Sequence, residues 1–391
     1  MTETADQLLK QGISHYQNRQ FEDAIDTWQQ ALILYQDRGN RKRQGAAWGN
    51  LGVAYAAMCD YTEAIDCYKQ HLAIAQEMQD LKGQTNALGN LGNVYYTQAQ
   101  YDQAIKLQLQ RLEIARQLKD VLIQEQTLSN LAIAYYGAEN FTEAIDCYQQ
   151  QFDIAEATDN RYSQANALKN MKLAIVALND EDGLVGCRQR QWQLARDWFD
   201  KENGSDFIQI TQTVGLDLLE DFVGADLSGL DLNYANLQGA NLSDANLTQT
   251  DLTLADLSGA NLKRANLYQA VLSNANLRDA DLTEANLTQA DLRTKMPRAN
   301  LSHANLKDAD LTSAYLPHAN FSHANLSQAT LKYADLTGVD FTGANLQETD
   351  FSQAELQDAK VQQVKFSQAM GISRRIKPQL VEQGAIFEDN E

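Results

Sequence analysis

Nowhere in its 391 residues does the sequence hold 18 consecutive apolar residues, so no membrane-spanning helix and no membrane insertion are expected. Cysteine is scarce. Cys59, Cys67, Cys147 and Cys187 are the only four, and no pair has CxxC spacing, which removes the usual pattern for a zinc site or redox pair and leaves plain thiols. The opening Met1-Thr-Glu-Thr-Ala-Asp-Gln puts acids where a signal peptide needs positive charge ahead of an apolar run, so a cytoplasmic location is expected. There is no phosphate loop, nucleophile elbow, HExxH or strand-borne GxGxxG, hence no pattern for an enzyme, a cofactor or a metal. Positive charge is short as well: the net charge of −20 divides into −12 over 1–221, −7 over 222–370 and −1 over the rest. Such a chain repels nucleic acid and anionic membrane. The 44% hydrophobic content is that of a folded chain, and the length allows two or three domains.

What the sequence does have is periodicity, of two kinds. From Phe222 to Leu292 a Leu, Phe or other large apolar residue recurs every fifth position, fifteen times without a miss. An alanine stands two residues before nearly every one, and Asn or Asp directly before it. Neither helix nor strand has a period of five, so the unit Ala-(Asp/Asn)-Leu-x-x implies a solenoid whose units bury their large side chains only by stacking. The frame slips once, because Leu292 is followed by Leu301 with Arg293-Thr-Lys-Met-Pro-Arg298 between them, and fourteen more units run to Phe366. The pattern resembles the pentapeptide-repeat family. That resemblance implies a right-handed quadrilateral parallel β-helix with four units per coil, the Leu and the Ala pointing inward. An interior filled by four Leu per coil leaves room for only a methyl at the second inward position, so Ala is expected to be obligatory there. Pro297 is expected to remove a ladder hydrogen bond, giving a shortened side or bulge near 293–298 that keeps Leu301 on the side of Phe222, Leu242, Leu262 and Leu282.

The second period is 40. Phe21-Glu-Asp-Ala-Ile, Tyr61-Thr-Glu-Ala-Ile, Tyr101-Asp-Gln-Ala-Ile and Phe141-Thr-Glu-Ala-Ile mark it, and blocks such as Leu88-Gly-Asn-Leu-Gly-Asn-Val-Tyr precede them with apolar residues on one helical face. These blocks resemble the tetratricopeptide repeat, a helix–turn–helix unit of an all-α solenoid, in which Ala24, Ala64, Ala104 and Ala144 match the small residue where two helices cross. Four repeats are followed by a degenerate fifth from about Ser163 to Lys201, with Leu184 in place of the alanine, as a capping repeat would show. The expected domains are therefore 1–205 as the α-solenoid, 206–221 as a connecting or capping helix, 222–370 as the β-helix and 371–391 as a C-terminal cap and tail.

The 40-residue period resembles the subset found in kinesin light chain and Partner of Inscuteable, which carries an asparagine ladder. Asn50, Asn90, Asn130 and Asn170 occupy that position here. An Asn amide both donates and accepts, so it can hold a peptide backbone whatever side chains the peptide carries, or it can simply tie neighbouring helices together. Gly49, Gly89 and Ser129 stand beside the ladder and are expected to leave space for a segment, with Asn93, Tyr96 and Tyr136 on the same face. Lys169 is the one basic residue expected at those inward places. In the second half, Asp231, Asp251, Asp291, Asp310 and Asp350 are expected to stack as an acidic column. At about 4.8 Å spacing their repulsion is roughly 0.9 kcal/mol per pair even in water, a cost the fold does not need, and so they are a candidate surface for a basic partner. Two functions follow: an adaptor that captures a protein segment in its helical groove, or a DNA mimic that regulates a gyrase-like enzyme, since the pentapeptide family includes such proteins.

Overall fold

In the computed structural model residues 2–201 and 206–387 are described, so the expected boundary at 205 and the last residues of the expected tail lie outside them. The chain forms two compact units, Met1–Leu194 and Ala195–Glu391. Among the described residues no helix is long and apolar enough to cross a membrane.

The first unit is a series of helix pairs: α1 (Thr2–Gln17) with α2 (Phe21–Asp37), α3 (Arg41–Ala57) with α4 (Tyr61–Glu77), α5 (Leu81–Thr97) with α6 (Tyr101–Leu118), α7 (Val121–Gly137) with α8 (Phe141–Ala157), and α9 (Arg161–Leu178) with α10 (Glu181–Lys201). The two kinds of loop are built differently. Between pairs, Asn40, Asp80, Asp120 and Asn160 cap the next helix, each accepting the N–H three residues on, which satisfies a donor that a helix start leaves orphaned. Gln44, Gln84, Gln124 and Gln164 then reach back 3.0–3.4 Å to the carbonyls of Tyr35, Ala75, Ala115 and Ala155. Asp180 caps α10 in the same way, accepting the Gly183 N–H at 2.9 Å, but in the first four pairs the second helix has no such cap. Its first aromatic residue packs on the preceding helix instead, Phe21 on Tyr16, Tyr101 on Tyr96 and Phe141 on Tyr136, at 5.4, 5.7 and 5.4 Å between ring centres. Ala24, Ala64, Ala104 and Ala144 are all buried, whereas Leu184 is half-buried on the last helix.

The second unit is a parallel β-helix in which each side pairs with the side 20 residues on, as in Asn246 with Asn266 and Asn266 with Asn286. Each corner is a turn closed by the N–H three residues past the central residue, for example Ala245 to the Leu242 carbonyl at 3.1 Å. The second residue past the centre is left-handed at almost every corner, with φ of 57–61° at Gln249, Leu254 and Arg264. Glycine meets that demand without strain at Gly239 and Gly259. The interior admits more than alanine. Thr250, Thr294 and Thr349 take the alanine position with their hydroxyls bonded to the carbonyls of Leu227, Ala275 and Leu326, and Val339 and Val364 are wholly buried there. Methyl-sized residues are thus preferred but not obligatory.

At the slip the coil loses one corner residue, so pairing spans 19 residues from Asn276 to Lys295 and from Asp281 to Asn300. Leu301 stays on the side of Leu282, as the Leu282 N–H bond to Asn300 requires. Met296, read from sequence as part of a gap, is a central residue with 0% exposure. Pro297 costs no ladder bond, because the residue after each centre donates only to the Asn or Asp two before it, as Ser302 does to Asn300. It occupies the turn position that proline suits, and Pro317 sits 20 residues on at the same corner.

The segment at 206–221 is less helical than its apolar spacing predicts. Helix α11 (Phe207–Thr213) stops before Gly215, whose φ is 89°, and turns follow, with the Leu218 carbonyl accepting the Asn241 N–H at 3.0 Å. At the far end α12 (Lys377–Glu382) buries Leu380. The chain then resumes the coil: Ile386 exchanges hydrogen bonds with Val364 and Phe366 at 2.8 Å, and Phe387 stacks on Phe366 at 4.9 Å.

Two outcomes are expected. Met296→Ala should destabilise the β-helix by about 2–5 kcal/mol in a urea unfolding curve, as a gap-filling residue would not. Asp281 and Asp340 are pushed up by partial burial, but bonds from Thr283 and Thr342 and the ammonium groups of Lys263 and Lys360 bring both below the ordinary aspartate range. Groups depressed in the folded state stabilise it above their unfolded value of about 3.9 and lose that contribution as pH falls through the folded value. The melting temperature should therefore drop below about pH 4, and less steeply in the Asp281→Asn, Asp340→Asn double variant.

Candidate functional site

The first helices of successive pairs put their asparagines along a groove of about 1260 Å³. Gly49, Asn50, Gly89, Asn90, Asn93, Ser129 and Asn130 all line it. Asn170, Tyr96 and Tyr136 do not: Tyr96 lines a smaller cavity of about 190 Å³ that shares Asn93 and Asn130, and Tyr136 packs on Phe141. The ladder is not uniform. Asn130 donates to the Asn93 side-chain oxygen at 3.1 Å, and Gln108 of α6 donates to the same oxygen at 3.3 Å. The position equivalent to Asn93 is Val53 on α3 and Ile13 on α1, which offer no acceptor. Among the described residues the side-chain amides of Asn50 and Asn90, both half-buried, make no hydrogen bond.

The small residues beside the ladder have a role that spacing did not suggest. A Cβ on Gly49 would stand 3.0 Å from His71 Nδ1, and one on Gly89 would stand 2.9 Å from Arg111 Cζ. Second-helix side chains therefore rise between the first helices and form part of the groove floor, where His71, Arg111 and Gln151 are spaced by 40. Burial holds the His71 imidazole below its ordinary pKa and pushes the Arg111 guanidinium down as well. Four basic residues (Lys42, Arg43, Lys82, Arg111) line the groove against two acids, Asp80 and Glu125. Lys169 is not among them, so the expectation of a groove almost without positive charge is corrected. The signal was present at 71, 111 and 151, where polar residues interrupt an otherwise apolar face, but it lies on the helix of each pair that the ladder does not occupy.

The acidic column stacks in the register expected, Asp231 on Asp251 and Asp291 on Asp310, interrupted by Val271 and Thr330. Its carboxylates are not idle. Each accepts the N–H two residues on, from Asn233, Thr253, Arg293, Thr312 and Ser352 at 2.9–3.2 Å. Asp291 also pairs with Arg293 at 2.5 Å and Asp350 with Lys332 at 3.1 Å. The stacked acids are thus corner-closing acceptors, and the view of them as a cost without a structural return is corrected. The neighbouring column is an amide ladder, with Asn286 donating to Asn266 at 2.8 Å and Asn325 to Asn305 and Asn345 to Asn325 at 3.0 Å. Along another edge His303 and His323 stack at 5.0 Å, and among the described residues no group of three His, Cys, Asp or Glu is placed to hold a metal.

Comparison with known proteins bears on both halves. The tetratricopeptide-repeat model matches residues 4–77, 44–117 and 83–157, and the pentapeptide-repeat model matches 221–259, 260–294, 297–332 and 334–369, with its interruption at the shortened side. No curated protein matches the chain. Among solved structures, BtubC from P. vanneervenii is 14% identical over 52% of this chain and 84% of its own, with a TM-score of 0.46. Repeats of a putative kinesin light chain from Podosopora anserina are 17% identical over 52% and 99%, with a TM-score of 0.45. The fluoroquinolone resistance protein QnrB1 is 17% identical over 43% and 92%, with a TM-score of 0.30. The chain is a two-part repeat protein, carrying tetratricopeptide repeats over 4–157 and pentapeptide repeats over 221–369.

Proposed function

We propose that the protein is a non-enzymatic adaptor whose helical groove captures an extended segment of another protein, the β-helix serving as a rigid spacer or second contact surface. One observation carries the reading: Asn50 and Asn90 present uncommitted amides to an open groove while Asn93 and Asn130 are bound to each other. An uncommitted half-buried amide has both a donor and an acceptor to offer a peptide backbone. On this reading the two alternatives for the ladder are divided between its members, Asn50 and Asn90 being free for a segment and Asn130 of α7 tied to Asn93 of α5. Regulation of a DNA-binding enzyme through an acidic face draws no support from the column, which is interrupted twice and engaged at every carboxylate.

The two kinds of asparagine are expected to separate in one experiment on the full chain. Asn50→Ala with Asn90→Ala should weaken retention of peptides selected from a random display library about 5- to 150-fold, as two hydrogen bonds of about 0.5–1.5 kcal/mol each imply, with the melting temperature unchanged. Asn93→Ala should instead lower stability by about 1–3 kcal/mol in urea, because it strands the buried Gln108 amide. Loss of stability in the first variant with peptide retention intact would reject the groove as the capture site.

A further inference from the structure

The most unusual side chain in the first unit is Arg111, in the middle of α6. It is only 9% exposed. Its guanidinium lies against Gly89 and opens onto the groove. Among the described residues no carboxylate is paired with it, and its Nε meets no acceptor. An arginine stays charged at any ordinary pH, and a buried charge without a partner is one of the costliest arrangements a fold can keep. The same position shows how unnecessary it is for folding: it is Ala31, buried, in the first pair, His71 in the second, and Gln151 and Gln191 in the fourth and fifth. The His71 Nδ1 and Gln151 Oε1 atoms on the same floor are likewise buried without a partner.

We propose that Arg111 is an anion subsite in the groove floor, taking the carboxylate of a Glu or Asp in the captured segment while Asn50 and Asn90 hold that segment's backbone. The proposal rests on the groove being the capture site and adds the chemistry of what it captures. A guanidinium donates two parallel N–H bonds to a carboxylate, and the missing side chain on Gly89 is what lets the Arg111 guanidinium lie at the groove floor. A single carboxylate matches a single buried cation. A phosphate or a polyanion fits less well, because Asp80 and Glu125 share the groove, Asp80 capping Gly83 at 3.0 Å and Glu125 accepting from Ser163. On the rim Lys42 and Lys82 are exposed, so an acidic segment meets attraction at the groove on a half that elsewhere repels it, given its −12.

The test uses full-length protein and four pools of fluorescent decapeptides, each random except for one fixed central residue: Glu, Gln, phosphoserine or Lys. Binding is read by anisotropy at low and high salt. The Glu pool is expected to bind the wild type about tenfold or more tightly than the Gln pool. Arg111→Gln should abolish that difference. Glutamine is what the array itself places here in the next two pairs, so the variant should fold, and relief of the unpaired charge should leave its melting temperature equal or higher. A merely structural arginine would lower it. Equal binding of the Glu and Gln pools, lost in the Asn50→Ala, Asn90→Ala variant, would overturn the subsite and leave the groove standing. A Glu preference that survives Arg111→Gln would also overturn it, and preference for the phosphoserine pool would overturn the carboxylate assignment. Binding of no pool by the wild type would reject the groove and the subsite together.

Discussion

Both halves depend on the same constraint: two stretches of backbone can approach closely only where one of them has almost no side chain. In the helical half Ala24, Ala64, Ala104 and Ala144 lie at 0–1% exposure, and Gly52 and Gly92 admit the Tyr68 ring and the Gln108 amide to within 2.5 and 2.6 Å of where a Cβ would be. In the β-helix the alanines before each central residue let four large side chains share one cross-section. No single repeat closes a core of its own, so burial, which is worth roughly 1.5–3 kcal/mol for a Leu or Phe side chain, is realised only when the next repeat arrives. That dependence on neighbours makes the fold quasi-one-dimensional. It also turns the choice of small residue into the control over what the larger side chains can reach, as at Gly89, where the Arg111 guanidinium packs at the groove floor.

Polar groups are handled oppositely in the two halves. The β-helix carries stacked aspartates and asparagines at a separation that should repel or strand them, yet each is absorbed by a local device: the N–H two residues on, the amide one coil away, or a lysine or arginine alongside. These bonds are short-range and repeat with the coil, so a net charge of −7 is compatible with a regular rod. The helical half satisfies its loops with equal regularity through caps and the glutamines at 44, 84, 124 and 164. Along the groove the regularity stops. His71, Arg111 and Gln151 each leave a buried atom without a partner on its floor. Buried polar atoms left unpaired are costly, and three of them share the groove floor at a spacing of 40, whereas the Thr330 and Gln383 atoms of the second unit stand singly.

Much of this was legible in the residues. The five-residue period required a solenoid and its resemblance to the pentapeptide repeat implied the β-helix, while the 40-residue period marked the helix pairs, the small crossing residues and the weakened last repeat at Leu184. What was illegible had physical causes. Met296 was hidden because one deleted corner residue moved it out of phase with the Leu positions, and Pro297 was misjudged because only the hydrogen-bond ladder shows which N–H groups a corner leaves unused. Helix α11 ended early because apolar spacing over 207–219 does not register the left-handed turn at Gly215. The groove's chemistry escaped for a different reason: the ladder sits on one helix of each pair, and the cation reaches the same surface from the other, through a gap that a list of inward positions does not contain.

The asymmetry of the ladder then constrains how a segment can lie. Asn93 and Asn130 are spent on each other, and the ladder amides that line the groove without a partner, Asn50 and Asn90, are on α3 and α5, the first helices of the second and third pairs. Arg111 belongs to α6, the partner of α5, and the half-buried His71 belongs to α4, the partner of α3. Each free amide is therefore matched with a floor residue that rises beside it through Gly89 or Gly49. A segment held at both amides would span two repeats and place its side chains over two chemically different floors, an imidazole whose pKa burial lowers and a guanidinium that stays charged. On the proposed reading, backbone contacts at Asn50 and Asn90 would supply affinity without sequence preference, whereas the floor would discriminate, more strongly at Arg111, where a wrong side chain would leave a buried charge unpaired.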